Sequence, residues 1–235
     1  DFCKSCNRLR ITARGDLRLC LFGNTGINIR HLIQSDNQLE ELKDLIPSGV
    51  EFIPGHPIAG TEESGPDSGF PELFDNRWCI LSTENHKDTK EIDRLKIFWE
   101  AIGSKVKLMT FEDHDHVLSL TSHLPHAVAY SIVRTVMNDD DKFKNDIIQY
   151  SASGLRDFTR IAASDPIMWR DIFIDNSENI LKVLNSFSEN LEEIKKAIQS
   201  KSSEKLNNIF SSTRKLRKEI IKAGQETDKP NFGRK

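Results

Sequence analysis

No apolar run in this chain approaches the ~20 residues that a bilayer-spanning helix requires, so no membrane role is expected. Excess basic charge is absent too. The formal net charge is −3 over 235 residues, which leaves no global field to gather nucleic acid or anionic lipid. The first residues lack the basic, then apolar, then small-residue order of a secretory signal. Cysteine is scarce: Cys3, Cys6, Cys20 and Cys79 are the whole set. Cys3-Lys4-Ser5-Cys6 has the spacing of a metal knuckle, but no second Cys or His pair follows close by. The simpler reading is a chance pair of thiols in a reducing cytoplasm. There is no internal repeat, no low-complexity tract, no H-E-x-x-H and no G-x-G-x-x-G. What remains, with 37% hydrophobic and 29% charged residues, suits a soluble globular protein of the cytoplasm, and no resident metal is expected.

Two textures follow one another along the chain. Residues 1 to about 38 carry neither helical nor strand period, although Leu19-Cys20-Leu21-Phe22 could form a short strand, followed by the ordinary turn Gly23-Asn24-Thr25-Gly26. From Leu39 the text is regular. Leu39, Leu42, Leu45 and Ile46 recur at helical spacing, and Pro47-Ser48-Gly49 ends that helix. Val50–Ile53, Trp78–Leu81 and Lys105–Met109 read as strands, with an amphipathic helix over Lys90–Ile102 that Gly103 stops. Helix alternating with strand argues for a parallel α/β layer. Past about residue 110 the strand signals vanish. Glu112–Met137 is helical in pattern, interrupted at Pro125, and Ser164-Asp165-Pro166 starts a further helix with a capping side chain and a first-turn proline. Ile180, Leu184, Phe187, Leu191, Ile194 and Ile198 form one apolar seam; Leu206, Phe210, Thr213, Leu216 and Ile220 form another. The expected fold is α/β plus all-α: an incomplete α/β portion with a partial parallel sheet over residues 1–110, of which 1–38 are atypical, and an all-helical portion over 111–235.

Three clusters could do chemistry. In Gly55-His56-Pro57-Ile58-Ala59-Gly60-Thr61-Glu62 an imidazole sits at the end of a strand, where α/β enzymes hold their reactive groups; the plainer alternative is a histidine bonded in a tight turn. Glu112-Asp113-His114-Asp115-His116 and Ser122-His123-Leu124-Pro125-His126 place four histidines in thirteen residues. Without zinc-protein spacing they suit a hydrogen-bonding wall better than a metal site, and His114 and His116 could be merely exposed on a first helical turn. In Ser151–Arg160, Gly154 permits close backbone approach, Arg160 offers a planar fork for a carboxylate, and Asp157 stands one turn before it. A local surface pair is the alternative there. Trp169-Arg170-Asp171 reads as a core aromatic beside an ion pair.

Gly55–Glu62, Thr121–His126 and Asp157–Asp171, with the tail motifs Ala223-Gly224-Gln225-Glu226 and Asn231-Phe232-Gly233-Arg234, resemble the signature segments of prephenate dehydrogenases of the cyclohexadienyl (arogenate) branch, from about Leu42 to the C-terminus. The resemblance implies oxidation of prephenate or arogenate by NAD or NADP, with loss of the ring carboxylate as CO2, in tyrosine biosynthesis. It implies His56 as the catalytic group on the ring hydroxyl and Arg160 on a substrate carboxylate. Asp157 and Glu62 would join the charge network, His123 and His126 would line the pocket, and Gly154 and Arg160 could face the partner of a homodimer formed by the helical domain. The resemblance makes residues 1–110 an incomplete Rossmann-like nucleotide-binding domain and 111–235 an all-helical substrate-binding and dimerisation domain; the family's glycine fingerprint does not show in residues 1–38, so no cofactor-binding residue is assigned. Ser35 stands near the family's histidine-orienting serine, but its neighbours differ and the role is not carried over. Text unlike the family, joined to a family remainder, suggests a shifted reading frame or a deletion. A non-catalytic dimerising remnant that binds the ring acid is the competing expectation.

Overall fold

The computed structural model describes residues 10–11, 16–18, 27–28, 53–60, 70–83 and 89–222. The expected helix at Leu39–Ile46, most of the strand at Val50–Ile53, Glu62, Ser35 and the polar tail lie outside the described residues. The chain divides into two compact units, residues 1–179 and 180–235.

In the first unit, β1 (Arg10–Ile11), β2 (Asp16–Arg18) and β3 (Ile27–Asn28) form a small antiparallel sheet. A second sheet holds β4 (Gly55–Pro57), β5 (Trp78–Ser82) and β6 (Lys105–Met109), in that order. β5 and β6 pair in parallel, in register from Trp78 opposite Lys105 to Ser82 opposite Met109, and α1 (Lys90–Ala101) is the crossover between them. That pair meets the expectation of a parallel layer. β4 does not: it runs antiparallel to β5, with His56 opposite Ile80, so the sheet is mixed. The pairing falls on Gly55–Pro57, while Ile53 is not in a strand. Proline tolerates this because its missing N–H points away from the ladder at an edge strand.

Cys79 and Leu81 on β5 pack with Ile92 of α1 into a core flanked by Ile53, Leu95, Trp99, Val106 and Leu108. Each such apolar side chain contributes about 1.5–3 kcal/mol when fully buried. Burial pushes the Cys79 thiol up to about 11, so it stays a protonated packing group. α1 begins where the Thr89 hydroxyl accepts a bond from the Ile92 N–H and ends at Gly103, whose φ of +92° suits glycine. A side chain there would also run into Asp75.

Helices then follow without a further strand among the described residues. They are α2 (Phe111–Leu118), a π turn (Ser119–His123), α3 (Leu124–Met137), α4 (Asp141–Gln149), α5 (Ser153–Thr159), a 3-10 turn (Arg160–Ala163) and α6 (Pro166–Asp175). The interruption read at Pro125 is real, but it precedes the proline. Five residues widen into a π turn in which the Leu124 N–H reaches the Ser119 carbonyl, and Pro125 then fits the first turn of α3. At α6 the capping side chain is Asp165, which accepts from the N–H groups of Ile167 and Met168.

The second unit carries most of α7 (Ser177–Gln199) and all of α8 (Ser203–Lys222). α7 ends in a turn where the Ser202 N–H bonds the Ala197 carbonyl, with Lys201 at φ +51°, a position that favours glycine. The seam read from the sequence is only partly covered in the single chain: Leu191, Ile198, Phe210, Leu216 and Ile220 are exposed.

These two left-handed positions give opposite expectations. Gly103→Ala should lower the stability measured by urea unfolding by about 1–2 kcal/mol, and Lys201→Gly should raise it by up to about 1 kcal/mol. Equal stability of the Gly103→Ala chain would contradict the geometry described.

Candidate active site

The site grows from one edge strand and one helix start. β4 carries His56 on the sheet's edge. α2 begins one residue after β6, and the Thr110 hydroxyl caps it by accepting from the Asp113 N–H. This fixes the first turn, and with it His114 and Asp115. The result joins positions 58 apart: His56 Nδ1 lies 2.9 Å from His114 Nε2, and His114 Nδ1 lies 2.8 Å from Asp115 Oδ1. The two rings are tilted, with centroids 5.2 Å apart. His56 keeps an open edge to solvent, yet the protein around it lowers its pKa, first by desolvation and then through His114.

His123, at the end of the π turn, is buried. The Asn176 amide nitrogen, just past α6, is 3.2 Å from His123 Nδ1 and donates to the Asp115 carbonyl at 2.8 Å. Asn179 donates to the Asn176 oxygen, which settles the amide's orientation. The Asn176 nitrogen is therefore a donor, His123 Nδ1 accepts, and the neutral ring carries its proton on Nε2. Desolvation is the main cause that lowers the His123 pKa. His114, His126 and His56 act the same way, against an upward pull from Asp115.

His126 lies flat on Trp169, at 3.4 Å between centroids and 22° between planes. Its Nδ1–H donates to the Ser122 carbonyl at 2.8 Å, leaving Nε2 as an acceptor in the neutral ring. Burial lowers its pKa, the Ser122 bond opposes this, and the Arg160 cation lowers it further. Trp169 is the expected core aromatic, with Phe173 edge-on to it, and Arg170 pairs with Asp171 as expected.

Of the residues chosen from sequence, His123 lies within electrostatic range of His56 and His126, and His126 within range of Arg160. Arg160 opens the 3-10 turn and is partly buried. Asp157 is exposed and contacts Arg156 at 3.4 Å. Gly154 is exposed on α5 with open space where a Cβ would stand, so nothing within this chain demands a glycine there. His114 is not a bystander on a helix end; it bonds His56. Asn176 and the roles of His114 and Asp115 escaped the sequence reading, because a contact between distant positions leaves no periodic signal. Among the described residues no group of three or more His, Cys, Asp or Glu could hold a metal ion. An open apolar groove along α4 and α5, lined by Phe143, Ile147, Tyr150 and Leu155 with Asp139 and Asp146, lacks an acid–base pair.

Comparison with known proteins decides the lineage. Residues 36–108 match the family model "Prephenate dehydrogenase, nucleotide-binding domain", and residues 110–212 match "Prephenate dehydrogenase, dimerization domain". The chain belongs to the prephenate dehydrogenase family. A cyclohexadienyl dehydrogenase of Zymomonas mobilis is 38% identical over 202 residues, which cover 86% of this chain and 66% of that protein. The structure of a prephenate dehydrogenase from Aquifex aeolicus in complex with hydroxyphenyl propionate and NAD+ superposes with a TM-score of 0.69 at 38% identity, covering 78% of this chain and 63% of that one. The chain thus spans less than two thirds of the length of these prephenate dehydrogenase relatives.

Residues 1–51 match a different family model, "Molybdenum Cofactor Synthesis C". A GTP 3',8-cyclase of Stenotrophomonas maltophilia is 62% identical over 42 residues, 18% of this chain and 13% of that protein. The unfamiliar opening text thus carries another family's pattern, and the nucleotide-binding match begins only at residue 36, which fits the expected truncation of that region. The matched stretch contains Cys3, Cys6 and Cys20.

The lowered histidines predict a pH effect on stability. A folded-state pKa below the ordinary 6.5 of an unfolded histidine means that the unfolded chain binds more protons as pH falls through 6.5. Stability should then fall with acidification and be flat above that point. Urea midpoints at pH 7.5 and 5.5 check this; a midpoint that rises on acidification would contradict it. Replacing Asn176 by Ala, which strips His123 Nδ1 and the Asp115 carbonyl of their donor, should cost about 1–3 kcal/mol in the same assay.

Proposed function

We propose that this chain is a prephenate dehydrogenase-type oxidoreductase of tyrosine biosynthesis, acting in the cytoplasm on prephenate or arogenate. Its reaction would be oxidative decarboxylation, taking prephenate to 4-hydroxyphenylpyruvate with NAD or NADP as oxidant. The observation that carries the reading is the histidine set itself, His56 bonded to His114 at 2.9 Å and His126 stacked on Trp169, with Arg160 within electrostatic range of His126. His56 presents Nε2 to the ring hydroxyl and holds its hydrogen while the ring becomes aromatic; this requires the neutral imidazole, which the lowered pKa favours. Arg160 receives a carboxylate with its planar fork. His123, carrying its proton on Nε2, donates to a substrate oxygen, and His126 closes the wall against Trp169. Asp157, Gly154 and Glu62 belong to the substrate-binding set by family resemblance alone. We place the functional division at residue 110, with the nucleotide-binding part before it and the helical part after it. The exposed apolar seams of α7 and α8 suit a homodimer. No helix among the described residues is long and apolar enough to cross a membrane, and the net charge of −3 gives no reason to invoke nucleic acid.

The described residues do not fit the pyrophosphate of the cofactor. Such a group is held at a helix N-terminus after a glycine-bearing turn. α2, the helix that directly follows a described strand, has its first N–H groups capped by Thr110 and carries Glu112 and Asp113 in its first turn. α1 is capped by Thr89 with Glu91 and Asp93 beside it. Acidic first turns repel an anion. Neither of these two described helix starts is built for the pyrophosphate, and a dimer that binds the ring acid without turnover is the second reading.

Calorimetry with 4-hydroxyphenylpropionate and assays of reduced nicotinamide with prephenate separate the readings. Binding with turnover supports the enzyme, and dimers that bind without turnover support the remnant. His56→Asn should abolish turnover with little change in binding, whereas Arg160→Ala should weaken binding at least tenfold. Failure of the acid to bind the unaltered chain would overturn both readings.

A further inference from the structure

We propose that His114, backed by Asp115, is the positioning residue that fixes which nitrogen of His56 handles the proton; this deepens, and rests on, the reading of His56 as the catalytic group. The argument is an accounting of donors and acceptors. The Asp115 carboxylate can only accept, so the 2.8 Å contact requires a proton on His114 Nδ1. With both rings neutral, His114 Nε2 then has a lone pair and no hydrogen. The 2.9 Å contact to His56 Nδ1 can be a hydrogen bond only if His56 donates. The proton of His56 therefore sits on Nδ1, and Nε2 is left bare. An imidazole in water prefers the opposite tautomer, with its proton on Nε2, so the pair reverses an intrinsic preference and presents an acceptor.

The arrangement is braced on both sides. Thr110 caps the helix turn that carries His114, and the His114 N–H bonds the Thr110 carbonyl at 3.0 Å. Asn176 holds the Asp115 carbonyl. On the other side, His56 is set by the pairing of β4 with β5. Among the described residues, the titratable groups around His56 are His114 and Asp115 on α2 and His123 on the π turn. A proton added to His114 would turn its Nε2 into a donor and oblige His56 to reverse.

The test is the tautomer of His56 in the whole chain, read at neutral pH by multiple-bond nitrogen–proton NMR on histidine-labelled protein without ligand, with the signal assigned by His56→Asn. His56 is expected mainly as the Nδ1–H form. In His114→Ala the majority should pass to Nε2–H. His114→Gln, whose amide oxygen can take the place of Nε2 as acceptor, should restore Nδ1–H. Should His114→Ala fail to fold, Asp115→Ala serves instead, with loss of the Nδ1–H excess expected. An Nε2–H majority in the unaltered chain, or an unchanged His56 signal in a folded His114→Ala or Asp115→Ala chain, overturns the proposal. Calorimetry with 4-hydroxyphenylpropionate keeps the two failures apart. Normal binding beside an Nε2–H His56 sinks the positioning role alone, whereas absent binding sinks the functional reading and leaves the tautomer result to stand.

Discussion

The hydrogen bond between His56 and His114 is the constraint on which the rest of the site depends. It ties an edge strand to the first turn of the helical region across 58 positions of sequence. Both anchors are built by ordinary means. The strand is held by its ladder to β5, whose inner face is the Cys79–Leu81–Ile92 core. The helix turn is held by a threonine cap. Neither element alone gives a histidine a defined tautomer; their meeting does.

Around that bond the chain spends polar groups in a consistent direction. Asn176 gives both amide hydrogens to neighbours that need them, and Ser122 gives its carbonyl to His126. Each of these bonds fixes a ring, while burial keeps the rings neutral. Arg160 is the cation that His126 senses. A wall of neutral rings next to one cation suits an anionic ligand that also carries a hydroxyl.

Much of this could be read from the sequence where the signal is local. The crossover helix and its glycine stop follow from apolar spacing and a single Gly103, the parallel β5–β6 pair follows from two apolar runs, and Asp165 with Pro166 announces α6. Long motifs singled out His56, His123, His126 and Arg160 as candidates. What could not be read is what two distant segments do to each other. The antiparallel entry of β4 is set by pairing rather than composition. The π turn before Pro125 has no signature in residue type. His114 looked like an exposed helix-end residue because its partner lies in another element, and Lys201 occupies a left-handed position that the sequence does not mark with glycine. Residues 1 to about 38 read as family-free text because they fall in a stretch, residues 1–51, that matches a different family from the one that matches residues 36–108 and 110–212.

A crystal structure of this chain with 4-hydroxyphenylpropionate tests the central claim most directly. The account predicts the phenolic oxygen within hydrogen-bonding distance of His56 Nε2 and the carboxylate on the guanidinium of Arg160, from the same chain or a two-fold mate. A ligand seated away from the histidine wall, or His56 and Arg160 facing separate crevices with neither touching it, would contradict the account.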